Sequence, residues 1–259
     1  MTKMKQKFNK SQHNKFTNHF NIKNSPSEIE ERFYKKTKKY IKYIKWIPGL
    51  KMIWIWNSIS MNCSNNESDI DLLIVTTTNS MWLNRILITL IFQLLWVRKT
   101  AKKHAWRFCL SFFSTIDWLD FNSWKLENDI YLYFWIVYFK PILDFNNTYD
   151  LLLEKNSNWA DFNEYLDIIE ENRKYITITS PQPSPLKERE QKQKNAASFS
   201  LKGERIQVWG INYLFKKIFL PKTLKHYAKI WKPFWVIIND NILKFHNWDI
   251  RKDIKKELV

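Results

Sequence analysis

The chain has 259 residues, 45% of them hydrophobic, which is enough for a real core in one large domain or a medium domain with appendages. Its formal charge of +17 indicates either an anionic partner (nucleic acid, a nucleotide, a membrane surface) or simply a solvated lysine-rich exterior. Three glycines exclude a Walker loop and a dinucleotide fingerprint, and two cysteines, Cys63 and Cys109, exclude a disulfide framework, so a reducing, cytoplasmic setting is the expectation.

Residues 1–25 are polar, rich in Asn and Lys and without a sustained period, which predicts a disordered basic tail; nothing in them has the apolar stretch of a secretory signal. From Ser27 the run SEIEERFYKKTKKYIKYIKWI has an N-cap serine, early glutamates and apolar residues at helical spacing, a helix that Pro48-Gly49 ends. Residues 1–49 carry 13 Lys and Arg against 3 Asp and Glu, so the positive charge gathers at this end and again beyond residue 180. The middle of the chain, 50–160, balances 10 against 10.

LKMIWIWNS is a short β-rich run, 59–68 a polar loop and IDLLIVT a second strand, giving an adjacent or hairpin-like pair. MWLNRILITLIFQLLWV, residues 81–97, is short and carries Asn84, Arg85 and Gln93, so it reads as a buried helix and no stable membrane insertion is expected. The basic linker RKTAKKHAWR, 98–107, sets several cations beside Trp106, a composition that contacts phosphate and stacks a base or, more blandly, covers a sheet edge. FCLSFFST is a third β-prone run, and 125–156 reads as helical with a break at Pro141. The order helix, strand, strand, helix, strand predicts an α/β (α+β) fold with helices on a small mixed sheet. Residues 180–205 are Pro-rich and charged, a low-complexity insert expected to be disordered and similar to translated intergenic repeats. Residues 206–259 then form a helical C-terminal extension, with IWKPFWVII as a core or interfacial helix.

Alternation along a strand sends Asp69 and Asp71 to one face while Ile70 and Leu72 point to the other. Paired carboxylates repel unless a cation lies between them, and hard Mg²⁺ suits a few carboxylate oxygens plus substrate phosphates. The pair also has an ordinary reading as turn and cap chemistry.

Asn57-Ser58, ten residues, then Asp69-Ile70-Asp71-Leu72 and an apolar run resemble the nucleotidyltransferase signature of a Gly-Ser turn, a spacer and SDxDL. Weaker matches at WLNR (82–85), FCLSFF (108–113), the Tyr-rich run 131–138 and NSNW (156–159) make the chain similar to a bacterial nucleotidyltransferase-like family over roughly residues 40–160. The resemblance implies a domain over 26–179 in which Asp69 and Asp71 hold catalytic Mg²⁺, in all two ions, while Ser58 and the turn at Asn57 cradle the phosphates of an NTP. The implied reaction moves a nucleotidyl group to an unknown acceptor hydroxyl. Asn57 departs from the family's glycine. The third run supplies no acid of its own, which leaves Asp117 or Asp120, just beyond it, as the expected third carboxylate. The alternative is a catalytically inactive relative that binds nucleic acid through its basic flanks, or a protein partner.

Overall fold

The computed structural model describes residues 5–179, 200–228, 235–246 and 249–258. Strand β1 (Leu50–Ile55) pairs antiparallel with β2 (Ile70–Thr76), as expected for the two runs flanking the polar loop. Helix α3 (Met81–Leu94) carries the chain back so that β3 (Phe108–Thr115) lies parallel to β2. With β4 (Lys140–Asp144), β5 (Ile178–Thr179), β6 (Trp235–Ile238) and β7 (Ile242–His246) the sheet runs β5-β4-β1-β2-β3-β7-β6. The fold is α+β around a mixed sheet, as predicted, and the sheet is wider than the three strands read from the sequence.

Both faces of the sheet are buried, so the central strands are apolar on both sides. Leu73 and Val75 of β2 join Met52, Trp54 and Phe112 in one core, whereas Leu72 and Ile74 join Ile53, Ile55 and Phe113 in the other. The first core is covered by α4 (Ile130–Val137), whose side chains are all buried, with α1 (Lys10–Phe20), α5 (Thr148–Asn156), α6 (Leu166–Arg173) and α8 (Arg251–Leu258) around it. The second lies beneath α3 and α2 (Glu28–Ile41), which begins at the Ser27–Glu30 capping box read from the sequence. A 29-residue helix, α7 (Ser200–Ala228), packs against α3. Among the described residues, no helix is long and apolar enough to cross a membrane.

Three expectations change. From residue 5 on, the segment before residue 25 is ordered structure: Asn9 and Gln12 cap α1 reciprocally, and Asn21 closes it in the left-handed region that Asn tolerates. Phe8 and Phe16 are buried against Tyr133 and Phe134, so this polar stretch is anchored by a few widely spaced rings. The region 125–156 is two helices split by β4. Pro141 there sits opposite Trp54, next to an irregularity in the register, a place where a missing N–H is tolerated. The C-terminal extension is helical only in part, because Trp235–Ile238 and Ile242–His246 form a hairpin that adds β7 to β3; Asn239 Oδ1 accepts from the N–H groups of Asn241 and Ile242 at its turn. Of the expected low-complexity insert, 180–199 lies outside the described residues and the rest opens α7.

Gly49 enters β1 with φ 81°, and a Cβ there would lie 2.3 Å from Ser80 Oγ. Truncating Phe16 to Ala is expected to cost about 3–5 kcal/mol, the usual range for emptying a fully buried ring site, measured by denaturant unfolding. A cost under about 1 kcal/mol would mean that α1 does not belong to the core.

Candidate functional site

The sheet opens where β1 ends and β2 and β3 begin. Asp69 precedes β2 and Asp71 is its second residue; both project to the face that carries Leu73 and Val75. In the parallel register Asp71 lies beside Cys109 of β3, and an extra residue in β3 before the Leu73–Phe112 pair keeps Cys109 and Phe112 on that same face. Ligand atoms of Asp69, Asp71 and Cys109 all fall within 4.8 Å of one another, and no other group of three His, Cys, Asp or Glu converges this way among the described residues.

Asn57 and Ser58 start the turn that leaves β1. Asn57 has φ 61°, the left-handed conformation for which glycine is the usual choice, and its side chain donates from Nδ2 to Asp71 Oδ2 at 2.8 Å. Asparagine thus keeps the turn while tying it to the acid. Ser58 beside it is partly exposed, and its carbonyl accepts from the Cys63 N–H at 2.9 Å.

The rest of this loop is held from below. Lys140 Nζ, buried in β4, donates to Asn62 Oδ1 at 2.6 Å and to the Tyr34 hydroxyl at 3.0 Å, and Tyr34 donates to the Ile59 carbonyl at 2.7 Å. Buried Glu30 of α2 accepts from the Ser64 N–H and hydroxyl. A strand and a helix therefore fix the loop that carries Asn57 and Ser58.

Electrostatics at the mouth are unbalanced. Burial first, and the Asp69 charge second, raise the Asp71 carboxyl to about 6, against the hydrogen bonds from Asn57 and Cys109 and the more distant Lys99. Burial and then Asp71 push the Cys109 thiol far above its ordinary range, so sulfur stands there as a neutral thiol. Lys99, from the basic linker, places Nζ 2.6 Å from Asp69 Oδ2, a side-chain cation on one acid of the pair. Asn57 Oδ1 is buried without a hydrogen-bond partner. Two carboxylates suit a hard divalent cation, which would relieve their repulsion; the protonated thiol does not suit Mg²⁺.

Of the residues expected at the site, Asp69, Asp71 and Asn57 come together, and Ser58 follows Asn57 in the turn. Asp117 does not. It follows the far end of β3, roughly 20 Å or more from Cys109 by strand rise, and accepts from the Thr78 hydroxyl. Asp120 caps the next turn by accepting from the Asn122 N–H, and also accepts from Asn158. Position along the strand decides this: a third acid has to stand at the start of β3, where the chain has Cys109. Lys99 and Lys140 were missed, the first hidden among the linker cations and the second in a segment read as helix.

No family model, curated protein or solved structure matches the chain.

Burial, opposed by Glu30 and Glu31, holds the Lys140 ammonium down at about 7 from the ordinary 10.5. The unfolded chain then binds more protons between these two values, so this residue makes stability rise with pH across that window, by at most about 1.4 kcal/mol per unit, and contributes no slope below it. Unfolding midpoints of wild type and Lys140→Met compared from about pH 6 to 10 should show a steeper rise for wild type; parallel curves would place the amine in water.

Proposed function

We propose that the mouth of β1, β2 and β3 is a nucleotidyltransferase-type site acting on an NTP and an acceptor hydroxyl. The observation that carries this reading is the convergence of Asp69, Asp71 and the Asn57–Ser58 turn at one end of adjacent strands, with Asn57 joined to Asp71. Asp69 and Asp71 would hold Mg²⁺, which when bound supplies positive charge to the α-phosphate and the departing pyrophosphate. Ser58 and the turn backbone take the remaining phosphate oxygens. In the transfer the acceptor oxygen bonds to the α-phosphorus, the bond to the β-phosphate oxygen breaks, pyrophosphate leaves and the acceptor proton passes to solvent.

Cys109 favours a second reading, a site that binds nucleotide and transfers poorly or not at all. A third carboxylate would draw the acceptor proton and strengthen the hold on the cation; a neutral thiol does neither. Lys99 on Asp69 works in the same direction, since a cation has to displace it.

Incubation with labelled NTPs and Mg²⁺ tests both. Asp69→Asn or Asp71→Asn should reduce any transfer, and Mg²⁺-dependent nucleotide binding, by about a hundredfold or more, as removal of a ligand from a metal-assisted site does. Transfer untouched by both changes would refute the assignment. Cys109→Asp is expected to raise transfer about tenfold or more if the missing acid is what limits the reaction, with nucleotide affinity measured alongside.

A further inference from the structure

The linker between α3 and β3 is a fixed rim around the candidate site. The Trp106 N–H donates to the Ser68 carbonyl at 2.8 Å, the Ile70 N–H to the Arg107 carbonyl at 2.8 Å, and the Lys99 N–H to the Phe108 carbonyl at 2.9 Å. Its far side is fastened to α2: Lys36 Nζ donates to the Trp106 carbonyl at 2.7 Å, the Phe33 ring stacks on the indole at 3.9 Å and the Arg32 guanidinium lies 5.1 Å from it. Two segments far apart in sequence thereby merge into one basic surface that wraps round the end of the sheet to Asp69.

Positive charge on this surface is crowded and only partly compensated. Lys36 is held below its ordinary value by burial and then by the charges of Arg107 and Lys39, with no acid among its close influences. Arg98, Lys102 and Lys103 are exposed, while the rim's acids, Glu67 and Asp69, already face His104 and Lys99. Trp96, at the foot of the linker, is 79% exposed, so the rim also offers an indole face. Cations that follow a path, together with an exposed ring, are the elements that bind a sugar-phosphate chain and stack an unpaired base. Phosphates running along such a rim, with a base on the exposed indole, would bring a strand end to the mouth where Lys99 meets Asp69.

We infer that the α2–linker surface binds single-stranded nucleic acid and that a strand end is the acceptor presented to Asp69 and Asp71. The acceptor assignment rests on the nucleotidyltransferase reading; binding to the rim does not.

The test is fluorescence anisotropy of labelled oligo(U) with the full chain, free of metal and NTP, against increasing salt. Expected is binding whose affinity falls log-linearly with salt, about 0.7 in slope per phosphate contact, and Lys102→Glu/Lys103→Glu should weaken it at least about tenfold. Trp96→Ala should weaken it about tenfold with the salt slope unchanged, because stacking releases no counterions. Absent binding, or binding indifferent to the charge reversal, overturns the inference, as does capture by anionic phospholipid vesicles that shares the reversal's sensitivity while oligo(U) is not held. Mg²⁺-dependent ATP binding by the same preparation separates the two ideas: if it persists while oligo(U) binding fails, the nucleotide site stands and the nucleic acid acceptor falls. If oligo(U) binds and none of the four NTPs does, the rim stands and the transfer reading falls.

Discussion

Two like charges at the lip of a buried strand set the terms for everything around them. Asp69 and Asp71 share a face by the period of the strand, and the apolar residues after them fix which face it is, since a slip of one residue would turn the whole set of β2 side chains over. The molecule answers the repulsion with one bond from Asn57, a lysine from the linker and a carboxyl that holds its proton more readily than usual.

The support for that arrangement comes from every side of the sheet. β4 contributes Lys140, α2 contributes Tyr34 and Glu30, and the linker contributes Lys99, so the turn and the acids are positioned by elements that meet only in the folded state. Buried polar groups of this kind are costly unless each finds a partner, and here the network runs from Lys140 through Tyr34 and Asn62 to the loop backbone without leaving the loop unsupported. The left-handed residues belong to the same design. Asn57 and Asn62 bend the loop at two points where a chain with few glycines uses asparagine.

What the sequence made legible was local. The capping box at Ser27, the alternation through β2 and the apolar run of α3 are each determined by neighbours within a turn or a strand length, and the structure has them where the residues place them. The pairing of Asp69 with Asp71 and their nearness to Asn57 followed from a short spacing across one antiparallel pair. Features set by distant partners were not legible. β4 is a strand because β1 pairs with it despite Pro141, and α1 is ordered because α4 receives its rings. Asp117 looked close to the acids because sequence distance from β3 was small, yet a strand separates its two ends by its whole length.

The packing of α1 has a consequence for how the chain reaches this state. His13 contacts the Tyr138 hydroxyl at 2.8 Å across 125 residues, and Phe8 and Phe16 rest on rings of the same distant helix. On a ribosome these aromatics emerge well before their receiving helix, Ile130–Val137, so the N-terminal segment cannot take its place until about half of the 259 residues have been made. During that interval its polar, lysine- and asparagine-rich composition keeps three isolated phenylalanines, Phe8, Phe16 and Phe20, from gathering into a sticky patch.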